Sequence, residues 1–343
     1  MGEWMTLQTA LDDIAATVAS GVLAEVRSAG RVWRGASGVA ELGTSGPVPS
    51  AGRFRAGSIT KSFVATVVLQ LAGEGRITLD DPSGTWLPGL VPHGDRITLR
   101  HLLQHTSGIA DYGESDRFRG LYGTTEAIVG MRQRTWSPPE LLAFVAGQPS
   151  VFEPGSSWAY SSTNYLLLGL VIERVTGSSY AAEAERRILR PLELRDTEFP
   201  GANPHIAGPH LHGYLPGGGQ EPVDVTAFDH SFAGAAGEIV SSTTDLNQFY
   251  RALVTGRLLA PAQLAEMRTV RAARPGFDYG LGLVRRQLPD GTTLWGHNGG
   301  TFGFETFSWT TGEGGRQVTV AVTPRAGGDT HARVGDFLTA AFR

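Results

Sequence analysis

None of the 343 positions in the chain is cysteine, which excludes disulfides, thiolate metal sites and a cysteine nucleophile. Lysine is nearly absent too: Lys61 stands alone among 29 basic residues, the other 28 being arginine. No apolar run approaches the ~20 residues a membrane-spanning helix needs. A net charge of -4 and a pI near 6.1 supply no basic footprint for nucleic acid or an anionic membrane surface. Residues 1–18 lack the basic and apolar regions of a signal peptide, so a cytoplasmic protein is expected, or a secreted one if a leader was removed. Internal repeats are absent as well.

With 41% hydrophobic and 18% charged side chains, the composition is that of a globular chain with room for one large domain or two packed together. Its organising stretch is Phe54-Arg55-Ala56-Gly57-Ser58-Ile59-Thr60-Lys61-Ser62-Phe63. Ser58 and Lys61, at i and i+3, share a helix face, so the amine reaches the hydroxyl it would deprotonate. Arginine fills most surface roles of lysine but stays protonated and cannot act as a general base. A chain that writes every other positive charge as Arg therefore singles out Lys61 for chemistry. The following residues are apolar on nearly all sides, as expected of a helix through an interior. An amine at the head of such a helix is partly desolvated, which lowers its pKa toward the range useful at neutral pH.

The pattern predicts a first helix over 6–15, a hairpin of strands 21–28 and 31–41 turning at Ala29-Gly30, and the Ser58 helix closing at 73–75. A short helix over 98–104 and helices over 138–146, 163–176 and 180–189 follow. Residues 201–219 read as a long loop rich in Gly, Pro and His. Helices at 243–253 and 261–267 precede strands at 279–288, 292–297, 302–309 and 317–323, and a last helix spans 330–342. The N-terminal hairpin needs partners, and the C-terminal strands supply them. The expected fold is α+β, an antiparallel sheet built from both chain ends. Its sheet domain covers 1–80 and 220–343, and a mainly helical insertion covers 81–219.

The stretch around Ser58 and Lys61 resembles the penicillin-recognising serine hydrolases, the family of class C β-lactamases and serine D-Ala-D-Ala carboxypeptidases, with the β-lactamase/transpeptidase-like fold. The resemblance covers nearly the whole chain and is closest to the actinobacterial carboxypeptidases. Its further blocks are Leu102-Leu103-Gln104-His105-Thr106-Ser107-Gly108, Pro154-Gly155 leading to Tyr160-Ser161, Ser241-Ser242-Thr243-Thr244-Asp245-Leu246, Tyr279-Gly280-Leu281-Gly282 and Gly296-His297-Asn298-Gly299. No G-x-S-x-G of the α/β-hydrolases is present.

The resemblance implies an acyl-enzyme on Ser58, with Lys61 and Tyr160 as catalytic partners and His297 in support. The family's Tyr-x-Asn falls on Tyr160-Ser161-Ser162, keeping the tyrosine and losing the asparagine. Tyr160 is expected to be held as a phenolate that passes protons. Ser162 is left between substrate contact and a cap on the helix behind it. The oxyanion hole is implied at the N–H groups of Ser58 and Gly300, and substrate contacts at Asn298, Gly299, Tyr112 and Phe232. His105 is expected to hold a turn under the site. His101 with His105, and His210 with His212, lack a third ligand, so neither metal nor cofactor is expected.

The implied partner is a small-molecule or peptide substrate, with amide, ester or D-amino-acid peptide as acyl donor. A peptide cyclase or thioesterase of a biosynthetic pathway, and a β-lactam sensor that stalls after acylation, are the alternatives. The resembling carboxypeptidases bind the terminal carboxylate with an arginine where this chain has Val284. Blocked donors are therefore expected to outrun free acids, unless Arg286 or a protonated His297 replaces that cation.

Overall fold

The computed structural model describes residues 2–91, 93–217 and 220–343. Twelve strands are formed among them: β1 Ala19–Ser28, β2 Arg31–Gly38, β3 Phe54–Arg55, β4 Tyr214–Gly217, β5 Gln220–Asp224, β6 Val240–Ser241, β7 Arg271–Arg274, β8 Phe277–Tyr279, β9 Val284–Gln287, β10 Thr293–Thr301, β11 Phe304–Thr311 and β12 Arg316–Pro324. Eight of them make one antiparallel sheet in the order β2-β1-β12-β11-β10-β9-β8-β7. Val22 faces Val322 across the junction of β1 and β12, so the two chain ends close the sheet as the sequence predicts.

Helices cover both faces, which explains why β1 and β12 are buried along nearly their whole length. Helices α1 (Gly2–Thr17) and α6 (Thr330–Ala341) bury Leu11, Ile14, Phe337 and Leu338 against one face. On the other lie α2 (Thr60–Gly73) and α5 (Thr243–Val254), with Phe63 stacked on Phe249 at 3.8 Å between ring centroids. Two further helices matter to the site: α3 (Leu99–Gln104), capped by Thr98, and α4 (Ser162–Thr176), ended by Gly177 in the left-handed region.

Several expectations are corrected. Residues 57–59 form a 3-10 turn, and α2 starts only at Thr60. The predicted strand 279–288 is broken at Gly280–Gly282, where a Cβ on Gly282 would lie 2.4 Å from that of Ala65 on α2. The long loop contains β4, which pairs with β5; Gly218 and Gly219 lie outside the described residues. Helices at Asp116–Tyr122 and Thr125–Met131 and the edge strand β7 are additional. Met1, part of the stretch read for a signal peptide, is also outside the described residues. No helix among the described residues is long and apolar enough to cross a membrane.

Candidate active site

Ser58 sits in the 3-10 turn that leads into α2, and Lys61 occupies the first turn of that helix, fully buried. The i, i+3 spacing brings Lys61 Nζ to 3.1 Å from Ser58 Oγ. Lys61 also donates to the carbonyl of Ala236 at 2.7 Å, which fixes the amine against the hydroxyl. Burial lowers the Lys61 pKa to about 7, with Asp111 opposing the shift. A neutral amine donating to Ala236 keeps a lone pair for the Ser58 proton.

Tyr160 lies just before α4 and donates to Ser58 Oγ at 2.8 Å. The expected phenolate is not supported: burial pushes the Tyr160 pKa well up, and the hydrogen bond with Ser58 only partly offsets it. Nor is a full ammonium at hand to hold the anion, since burial also favours the neutral amine of Lys61. His105 packs beneath Tyr160 with ring centroids 4.4 Å apart, and its Nδ1 accepts from the N–H of Ser161 at 3.2 Å. Its backbone is in the left-handed region at the end of α3. This matches the turn-holding role expected of it.

Strand β10 carries His297, Asn298 and Gly300 to the same place. Close approach is possible because both partners are glycine-rich. A Cβ on Gly299 would lie 1.9 Å from the Ala56 carbonyl oxygen and 2.9 Å from the Ser58 nitrogen, and one on Gly57 would lie 2.6 Å from the Gly300 oxygen. Gly299 therefore seats the strand on the turn, rather than standing among the cavity-lining residues as its expected substrate contact required. His297 is buried and neutral, its pKa lowered to about 3 by burial. Its Nδ1 faces the Asn298 carbonyl at 2.5 Å and so carries the hydrogen, which leaves Nε2 to accept from the Tyr279 hydroxyl at 3.0 Å.

Ser58 and Gly300 stand where two cavities meet. The first, about 380 Å³, is walled by Trp158, Tyr279, Val284, Asn298 and, at its rim, Arg274. The second, about 320 Å³, is walled by Tyr112, Phe232, Phe302, Asp111 and Ser162. Tyr112 and Phe232 are thus the aromatic walls expected of them, joined by a 2.6 Å hydrogen bond from the Tyr112 hydroxyl to the Phe232 carbonyl. Ser162 is the first residue of α4, behind Ser161 at the N-cap position, and its N–H donates to Asp111 Oδ2 at 3.1 Å. Ser161, not Ser162, occupies the N-cap position, and Ser162 lines the second cavity. Asp111 also accepts from the N–H of Gly113 at 3.0 Å, while burial raises its pKa.

Asp111, Phe302 and Arg274 were not picked out from the sequence. Asp111 follows the Leu102–Gly108 block by three residues and precedes Tyr112, a signal that was readable. Arg274 lies on an exposed edge strand, Arg271–Arg274, with no alternating pattern to reveal it.

The family model described as Beta-lactamase matches residues 8–340. Among solved structures, a D-stereospecific amidohydrolase from Streptomyces sp. is 38% identical with a TM-score of 0.90, over 96% of this chain and 97% of that one. The D-amino acid amidase of Ochrobactrum anthropi SV3, complexed with L-phenylalanine amide, is 28% identical with a TM-score of 0.85, over 99% and 98% of the two chains. Esterase EstB of Burkholderia gladioli is 35% identical over 190 residues, 54% of this chain and 48% of that protein. The chain spans about half the length of the curated relatives it matches.

Proposed function

The chain belongs to the β-lactamase family, and from that premise we propose that it is a serine hydrolase that cleaves amides and esters of D-amino acids through an acyl-enzyme on Ser58. The observation that carries this reading is the approach of Lys61 Nζ at 3.1 Å and the Tyr160 hydroxyl at 2.8 Å to one serine oxygen. Neutral Lys61 takes the Ser58 proton as Oγ attacks the substrate carbonyl. The N–H groups of Ser58 and Gly300 receive the developing oxyanion. Tyr160, a neutral phenol, gives its proton to the leaving nitrogen or oxygen and is resupplied from the Lys61 ammonium, so no free phenolate accumulates. Water then reverses the sequence and releases the acid.

Likeness to a D-stereospecific amidohydrolase, a D-amino acid amidase and an esterase supports the bond type and the D-configuration. The second cavity supports the acyl part. Its aromatic walls suit an apolar side chain, and Asp111 beside Ser162 suits the ammonium of a free amino acid. His297 keeps Tyr279 and Asn298 in place at the leaving-group side without carrying charge.

The test is a matched panel of D- and L-phenylalaninamide and their methyl esters, read with intact-protein mass after a fluorophosphonate. Hydrolysis of the D-series and a single adduct, both lost in Ser58→Ala, are the expected results. A label that persists in Ser58→Ala overturns the assignment of the nucleophile. Exclusive turnover of the L-series overturns the substrate class.

A further inference from the structure

Strand β10 is held on both edges only as far as Gly296, where its pairing with β9 ends. Among the described residues, His297 to Thr301 pair with β11 alone, and the turn that carries Ser58 packs against this stretch. The stretch presents the Gly300 N–H, inside a tandem Gly299-Gly300 whose backbone is freer than that of residues with a Cβ. A Cβ placed on Gly300 would meet nothing within 4 Å, so no packing of its own fixes it. Gly299 is seated on Ala56 to one side. On the other side stands Thr301.

A buried imidazole holds Thr301 from behind. His230 has no solvent exposure, and its Nδ1 lies 2.9 Å from the Phe228 carbonyl while its Nε2 lies 2.9 Å from Thr301 Oγ1. A carbonyl can only accept, so Nδ1 carries the hydrogen. Burial, with the Arg55 guanidinium nearby, keeps the ring neutral, which leaves Nε2 a lone pair and makes the Thr301 hydroxyl the donor. The same Phe228 carbonyl accepts from Arg55 Nη2 at 3.0 Å. Arg55 is fully buried on β3, three residues before Ser58. One chain of hydrogen bonds, Arg55 to Phe228 to His230 to Thr301, therefore ties the strand that leads to Ser58 to the strand that carries Gly300. Its ends stand three residues from one oxyanion donor and one residue from the other.

We propose that His230 is a positioning residue for the oxyanion hole: through Thr301 it fixes where the Gly300 N–H points relative to that of Ser58. The proposal rests on the acyl-enzyme reading above and adds to it a residue that lines neither cavity. The oxyanion forms when Ser58 Oγ attacks the carbonyl and vanishes when the leaving group departs. An N–H out of line is therefore felt in the transition state and not in substrate binding. Without the Thr301 hydroxyl, Nε2 loses its donor and the tandem glycines are free to turn.

The test follows the acylation burst with a nitrophenyl ester over a range of concentrations, which separates the limiting rate from the half-saturating concentration. Thr301→Val, similar in size but without the hydroxyl, is expected to lower the limiting rate by about tenfold at unchanged half-saturation, a part of the hundredfold or more that a whole oxyanion donor contributes. Thr301→Ser restores the hydroxyl and most of the rate. At position 230, Gln offers an oxygen to Thr301 where Nε2 stood, whereas Asn renews only the bond to Phe228. His230→Gln is therefore expected to be the faster of the two, although both remove the ring. A wild-type limiting rate in Thr301→Val, a loss confined to half-saturation, a Ser variant as slow as the Val one, or equal rates in the Gln and Asn variants overturns the proposal. Melting temperatures are taken on every variant, and the Thr301 pair decides alone if the His230 variants do not fold. Fluorophosphonate labelling of Ser58 is followed in the wild type. A labelled wild type with an unaltered Thr301→Val sinks the positioning role alone; a wild type with neither label nor burst sinks the acyl-enzyme reading and the positioning role with it.

Discussion

Lys61 carries the largest conflict between stability and function in the molecule. An amine with no solvent exposure, facing one carbonyl and one hydroxyl, is costly to bury and useful for that reason. Lys61→Arg is expected to be nearly as inactive as Lys61→Ala, on the order of a hundredfold or more in acylation rate, because arginine keeps the charge and cannot give up a proton. Measuring the burst with a nitrophenyl ester checks it, and an Arg variant with most of its activity would reduce Lys61 to an electrostatic partner. Lys61→Met, similar in length and apolar, is expected to abolish the burst and raise Tm by a few degrees at pH 7. At Ser162, on the wall of the aromatic cavity, a change to Asn is expected to shift the ranking of acyl donors without altering Tm. An unchanged ranking would leave Ser162 without a part in binding.

Among the elements, the contact between β10 and the 3-10 turn at 57–59 decides whether a site exists. The turn presents Ser58 and the strand presents Gly300 only because Gly299 lets the strand settle onto the Ala56 carbonyl. Gly299→Ala places a methyl 1.9 Å from that oxygen, so one backbone must retreat. The expected outcome is a fold preserved by far-UV circular dichroism, with acylation of Ser58 down by about a hundredfold, the scale of a lost oxyanion donor. Wild-type acylation in Gly299→Ala would mean that the strand does not need this close seat. The motif Gly296-His297-Asn298-Gly299 was legible through the family resemblance, as the block that lines the site. Strand β7, which lines the first cavity, was not, since an exposed edge strand carries no alternation and needs none.

Across the whole molecule, two buried groups set opposing responses to pH. Lys61, with a folded pKa of about 7, lies below its ordinary value, so the unfolded chain holds the extra proton between them. Its contribution is present above the ordinary lysine pKa and is lost as pH falls through about 7. Glu238, buried against the Tyr180 hydroxyl and the N–H of Gly201, is raised by burial to about 7. Its contribution is full below the ordinary carboxylate range and is lost as pH rises through about 7. Both contributions are therefore depleted near neutrality. Glu238→Gln is expected to flatten the Tm profile between about pH 4.5 and 7, and Lys61→Met between about pH 7 and 10, as followed by thermal melts. Acylation of Ser58 should rise tenfold per pH unit up to a midpoint near 7 and then level off. A midpoint near that of free lysine would show that burial does not tune the base.

By itself the sequence determined the local chemistry: a lone lysine one helical turn from a serine, strands at both ends that needed each other, and glycines where only close approach explains them. Those features follow from spacing, periodicity and residue type, which are properties of neighbours along the chain. It also suggested a charged Tyr160, where burial favours the neutral phenol, and it did not point to Arg274, which lines the same cavity as Val284. Whether Tyr160 ionises depends on burial by His105, Tyr279 and the neutral amine of Lys61. Whether the cavity holds a cation depends on β7 reaching it through a sheet edge, pairing Arg271 with Tyr279 and leaving Arg274 against Phe277. Desolvation and long-range juxtaposition belong to the packed molecule, and no periodicity in the chain encodes them.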